Sequence, residues 1–332
     1  MDMRLPIATD RALGALIGVA VGDALGMPTQ TLERAKIRAA YGRIEGFVAP
    51  MPDHPVSCGL RAGMVTDDTE QTLLLAARLI AGKGGFNEGA WVADLLAWEG
   101  DVQRRGLRDL LGPSTKQALE ALAAGVPPDQ TGQRGTTNGA AMRIAPVGIA
   151  TPPDVARLVA KVEAVSRVTH GTGEALAAAA AVAMVISQGV AGASFEDSLP
   201  LALDAARAGN RRGAGSGEPD MAARIGLALA IAAEGEAALA KRIGTSVQSG
   251  QSVAAAFGVV RLAGGDPWQA ALIAANIGDD TDTIGAIACA MAGACVGMRA
   301  FPEDKVEQVV TVNRLDLGAV VAGLLALRGA QA

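Results

Sequence analysis

The chain has 332 residues, half of them apolar, enough to bury a large core, and no linker-like stretch divides it. Its net charge of −5, with scattered basic residues, excludes the basic footprint of a nucleic-acid binder, and an aromatic content of 3% leaves few platforms for base stacking. Cys58, Cys289 and Cys295 have neither disulfide-framework nor zinc spacing, which points to a reducing, cytoplasmic setting.

In chain order, apolar periodicity predicts helices over 11–21, 70–80, 88–98, 114–123, 153–169, 173–188, 218–233, 253–262, 267–275, 283–296 and 303–314, with almost no strand signal. An all-α bundle is expected. Start signals support it: Thr9 and Asp10 precede the first helix, Asp154 opens another, and Asp266-Pro267 pairs a cap with a proline at the first helical position. In the first helix Gly14, Gly18, Gly22 and Gly26 recur every four residues and share one face, which reads as close helix packing. The apolar stretch 12–22 is shorter than a membrane span and ends in Asp23, and 284–298 fits a buried core helix, so no membrane role is expected. The glycine- and arginine-rich run 207–218 reads as a solvated loop, with a phosphate-meeting lid as the secondary reading.

Two acidic helix starts carry the chemistry. Thr66-Asp67-Asp68-Thr69-Glu70 and Asp279-Asp280-Thr281-Asp282-Thr283 each precede a strongly apolar helix. Helix capping explains either alone, because Asp and Thr accept bonds from the orphan N–H groups and offset the positive helix end. A cap needs one acceptor, however, and the crowding of carboxylates in both starts calls for a cation. Oxygen donors select magnesium or manganese over zinc or copper. Thr66, Asp67, Asp68, Asp280, Asp282 and Thr283 are too many ligands for one magnesium that keeps its waters, so two divalent cations, Mg2+ or Mn2+, are expected.

At these residues the sequence resembles the ADP-ribosylglycohydrolases. The likeness runs in order through GVAVGDALG at 18–26, Thr66-Asp67-Asp68-Thr69, TNGAAMR at 137–143, Thr169-His170-Gly171 and 278–283. It implies a compact, single-domain orthogonal helical bundle over 1–332 and the same six metal ligands. It also implies a substrate cradle at Asn138 and Gly139 and a nucleotide-proximal His170. Met142-Arg143 reads as core packing and a surface ion pair, and His54 as plain loop.

Two positions depart from the family pattern. Gln30 stands where a glutamate near the reacting ribose is usual, and Asp279 where glycine is usual; glutamine cannot act as a general base. The expected chemistry is hydrolysis at C1 of a ribose with Asp67 or Asp280 as general base and Gln30, Asn138, Gly139 and His170 on the substrate. Expected substrates are an ADP-ribosylated protein or a small ADP-ribose conjugate. A metal-dependent N-glycosidase acting on a nucleoside or small riboside is the alternative. A non-catalytic binding relative is a third reading, against which the intact ligand set speaks.

Overall fold

A computed structural model describes residues 5–107, 112–215 and 220–331. Among them are helices α1 (Ile7–Gly26), α2 (Arg34–Tyr41), α3 (Asp67–Ala81), α4 (Glu88–Arg104), α5 (Pro113–Ala123), α6 (Pro128–Thr131), α7 (Gly139–Met142), α8 (Ala145–Ala150) and α9 (Val155–Ser166). The chain continues through α10 (Gly173–Val190), α11 (Phe195–Asn210), α12 (Met221–Ile231), α13 (Glu236–Arg242), α14 (Ser249–Leu262), α15 (Pro267–Ile277), α16 (Thr281–Val296), α17 (Glu303–Asn313) and α18 (Leu317–Gly329). The described residues form no strand, only isolated bridges, as the periodicity predicts.

Three helices, α1, α10 and α16, are buried along nearly their whole length, so each is apolar all round and not on one stripe. Their side chains are small enough for backbones to approach. A Cβ on Gly14, Gly18, Gly22 or Gly26 would collide with α16 backbone or the turn after it, at Gly293, Cys289, Gly285 and Asp282 respectively. The four-residue glycine repeat is therefore the face on which α1 and α16 touch. By length and composition α1 and α10 could each cross a bilayer, yet 94% of each apolar window is buried inside the protein. Packing against other helices consumes that apolarity.

Helix α1 begins at Ile7, ahead of the Thr9-Asp10 start signal, which lies in its first turn. Asp154 and Asp266 cap α9 and α15 as expected, accepting from Arg157 N and from Trp268 N and Gln269 N. Of the run 207–218, Arg207 to Asn210 close α11 and Ala214 pairs with the backbone of Gly171 and Gly173. That docked half does not line the central cavity; 216–219 lie outside the described residues. Helices α2, α6, α7, α8, α11, α13 and α18 arise where no helix was predicted.

Candidate active site

Both acidic starts open helices, and a carboxylate from a third helix joins them. Asp23, near the C-terminal end of α1, is fully buried and holds the start of α3. Its carboxylate accepts from Thr66 N at 3.0 Å and Thr66 Oγ1 at 2.7 Å, and from Thr69 N at 3.1 Å and Thr69 Oγ1 at 2.5 Å. Asp23 thus caps α3 from another helix, a task the sequence assigned to α3's own residues. Close contact of Gly22 and Gly26 with α16 then sets Asp23 beside Asp282. Ligand atoms of Asp23, Asp68 and Asp282 lie within 4.8 Å of one another, all buried.

Asp67 and Asp280 stand on the open side of this triad, partly exposed on the wall of a cavity of about 180 Å³. Gln30, Thr137, Asn138, Gly139, His170, Asp282 and Thr283 also line it. The structure therefore gathers nearly all of the predicted site residues around one cavity, with Asp68 and Thr66 immediately behind. Asn138 Nδ2 donates to Asp280 Oδ2 at 2.5 Å and to Ser252 Oγ at 2.9 Å, and Thr283 Oγ1 donates to Asp68 Oδ2 at 3.3 Å. A Cβ on Gly139 would meet the His170 ring, so glycine there makes room for the imidazole.

Backbone bridges clamp the loops. Leu32 pairs with Asp279, with Thr31 N donating to Asp279 O at 2.6 Å, which ties the Gln30 loop to the start of α16. Asp279 sits at φ 58°, a left-handed conformation that favours glycine and that Asp tolerates better than most residues. Its Oδ2 accepts from Thr245 Oγ1 at 2.8 Å, a compensation glycine would lack.

Gln30 itself is oriented by its neighbours. Ser57 Oγ donates its hydrogen to Met27 O at 2.9 Å, so toward Gln30 it can only accept, and Gln30 Nε2 supplies the bond at 2.9 Å. The amide oxygen is left for the cavity. Ser57 is held in turn by His54, whose Nδ1 accepts from Ser57 N at 2.8 Å. His54 lies in a loop, as expected, but is fully buried there. Arg143 is no surface ion pair: it is 1% exposed, lies over Trp91, and donates to Gln71 and Thr169.

Electrostatics fit a cation. Burial pushes Asp23 and Asp280 up to about 6 against the hydrogen bonds they accept. Burial first, then neighbouring carboxylates, drives Asp67, Asp68 and Asp282 well above the usual carboxylate range. Asp68 Oδ1 is buried with no hydrogen-bond partner, an orphan acceptor that a metal ion would satisfy. All five groups are hard oxygen donors, the kind magnesium and manganese take.

A carboxylate raised from 3.8 to about 6 binds its proton more tightly folded than unfolded. The metal-free protein therefore loses stability as pH rises from about 4 to about 6, on the order of 3 kcal/mol for each such group. Melting curves in chelator should fall across that window and stay low above it. Saturating Mn2+ at pH 7.5 should restore the loss; curves that rise with pH in chelator would contradict this electrostatic picture.

The family model described as ADP-ribosylglycohydrolase matches residues 4–331. An uncharacterised Escherichia coli K12 protein, YegU, is 34% identical over 330 residues, covering 96% of this chain and 98% of its own. A Pseudomonas putida GB-1 protein named ADP-ribosylarginine hydrolase Tri1 is 28% identical, covering 91% of this chain and 75% of its own. A solved structure described as an ADP-ribosylglycohydrolase-related protein complex superposes with a TM-score of 0.72 at 28% identity, covering 99% of this chain and 100% of that one.

Proposed function

The chain belongs to the ADP-ribosylglycohydrolase family, hydrolases of glycosidic bonds, and on that premise we propose that it cleaves the C1 bond of ADP-ribose carried by a protein side chain or small molecule, using two Mg2+ or Mn2+ ions. The observation that carries this reading is the convergence of carboxylates from three helices: Asp67, Asp280 and Asp282 line one cavity, and behind it Asp23 and Asp68 cluster with Asp282, with one Asp68 oxygen left an orphan. Thr66, Asp67, Asp68, Asp280, Asp282 and Thr283 would hold the ions, with Asp23 beside them. Bound there, the ions would lower the pKa of a water and offset charge developing in the transition state.

The chain's own residues do the rest. Asp67 or Asp280 takes the proton of the attacking water. Asn138 fixes Asp280 by a short bond to Oδ2 and leaves Oδ1 to act; Asp67 reaches the cavity from the first turn of α3. Gln30 presents a neutral acceptor oxygen to the bound riboside. The reading is tested by hydrolysis of ADP-ribosyl-arginine, ADP-ribosyl-serine and O-acetyl-ADP-ribose with Mn2+, which should proceed and stop on chelation. Failure on all three would sink it.

A small-riboside N-glycosidase is the second reading, favoured by the cavity's size: about 180 Å³ is below the roughly 300 Å³ at which drug-sized ligand sites begin. Turnover of nucleosides alone in the same panel would decide for it. Gln30→Glu separates the two further. The new carboxylate would face the lone pair of Ser57, whose hydrogen is committed to Met27, so the variant should lose about 1 kcal/mol of stability. Under the ADP-ribose reading, the same carboxylate near the ribose should raise kcat/KM for ADP-ribosyl-arginine roughly tenfold. Unchanged kinetics would remove Gln30 from substrate choice.

A further inference from the structure

Arg143 stands at the head of a hydrogen-bond chain whose direction its chemistry fixes. Its guanidinium is buried over the Trp91 ring, 5.3 Å from the centroid, and no carboxylate among the described residues forms an ion pair with it. Nη2 donates to Thr169 Oγ1 at 2.6 Å. Arginine can only donate, so Thr169 Oγ1 accepts on that side.

The Thr169 hydroxyl hydrogen then has two possible acceptors. Ser166 O is 3.4 Å away and already takes the N–H groups of Thr169 and His170 at 3.0 and 2.8 Å. His170 Nδ1 is 2.8 Å away, within the ordinary range for such a bond. The hydrogen therefore goes to Nδ1. A neutral imidazole that accepts at Nδ1 carries its proton on Nε2, and Nε2 lies 3.1 Å from Thr137 Oγ1. Burial and the charge of Arg143 both hold His170 well below its usual pKa, in keeping with a neutral ring. Thr137 Oγ1, accepting from His170, keeps its own hydrogen for the cavity that both residues line.

We propose that the one-way chain Arg143, Thr169, His170, Thr137 makes the Thr137 hydroxyl a substrate-binding donor, aimed at an acceptor oxygen of the bound riboside. Three aspartates and no lysine or arginine stand among the described residues lining that cavity, so the chain is how the polarising effect of the buried Arg143 reaches it. Arg143, Thr169 and His170 are positioning residues. This assignment rests on the proposed function only for what Thr137 binds; the direction of the chain stands on the geometry.

Two measurements separate those parts. The chain holds only two histidines, so ring 15N shifts of the labelled free protein, with His54→Asn to assign them, read the His170 tautomer directly. The Nε2–H form is expected, with its dominance lost in Thr169→Val; an Nδ1–H form in the wild type would overturn the chain. Calorimetric titration with ADP-ribose and with adenosine then tests the donor. Thr137→Val should weaken ADP-ribose binding roughly tenfold, and Thr137→Ser should restore it. Loss against ADP-ribose alone assigns the acceptor to the pyrophosphate or the ribose beyond it, and equal loss against both probes assigns it to the adenosine half. Wild-type affinity in Thr137→Val would overturn the donor role. A wild type that binds neither probe would overturn the proposed function and the substrate role with it, while the tautomer still decides the direction of the chain.

Discussion

Asp68→Asn should lower kcat/KM for ADP-ribosyl-arginine by on the order of 10³-fold or more while making the metal-free protein more stable. The two effects have one cause. Asp68 is buried among Asp23, Asp67, Asp280 and Asp282, and one of its oxygens has no partner, so its carboxylate is a cost to the folded chain alone. That cost makes sense only as preorganisation for a cation. Asparagine keeps the shape and removes the charge, so the chelated variant should melt several degrees above chelated wild type at pH 8. The ion's stabilisation of the reacting centre, several kcal/mol, should vanish with the charge. Steady-state kinetics across a Mn2+ titration and calorimetry in chelator measure both. Activity within tenfold of wild type, or a chelated variant less stable than wild type, would contradict the account.

Gly26→Ala should cost about 3 kcal/mol and dismantle the site in the same stroke. A methyl group on Gly26 would collide with the carbonyl of Thr281 and the backbone of Asp282, where α16 begins. Overpacking typically costs 1–3 kcal/mol when side chains can shift, and here the obstruction is backbone, which has less room to yield. The same junction is tied by Thr281 Oγ1 donating to Gly26 O at 2.8 Å. Separating α1 from α16 therefore moves Asp23 away from Asp282 and strains that bond. A melting temperature lower by ~5 °C and Mn2+ affinity reduced by roughly tenfold or more are expected. Gly226→Ala, at a helical glycine with open space around it, should lower neither. If Gly26→Ala binds metal as tightly as wild type, the spacing of α1 and α16 does not set the site.

How much of this was legible beforehand depends on whether the signal was local. The acidic starts were readable because capping and charge crowding act within a few residues, and the glycine repeat because four-residue spacing on a helix is a face. Asp23 as a member of the acidic cluster was not, although a signal existed: a carboxylate in the middle of an otherwise apolar helix has to be partnered by something. Its partners, Thr66 and Thr69, lie more than forty positions away and meet it only through tertiary packing. Arg143 was misread for the same reason, since Gln71, Thr169 and Trp91 become its surroundings only after folding. Helix α11 was missed because Pro200 interrupts its pattern, and α18 because its glycines and near-continuous apolar run blur the helical period. Asp279 shows the reverse case. Its departure from glycine is visible in the sequence, but the left-handed φ that makes glycine usual there, and the Thr245 bond that makes Asp tolerable, are visible only in the fold.

Metal stoichiometry tests the central claim most directly. After exhaustive chelation, titration of the whole chain with Mn2+, followed by calorimetry and by elemental analysis of the washed protein, should give two ions per chain. Asp68→Ala and Asp282→Ala should each bind fewer, with hydrolysis of ADP-ribosyl-arginine returning in step with occupancy in the wild type alone. No Mn2+ or Mg2+ binding above background, or undiminished binding in both variants, would contradict it.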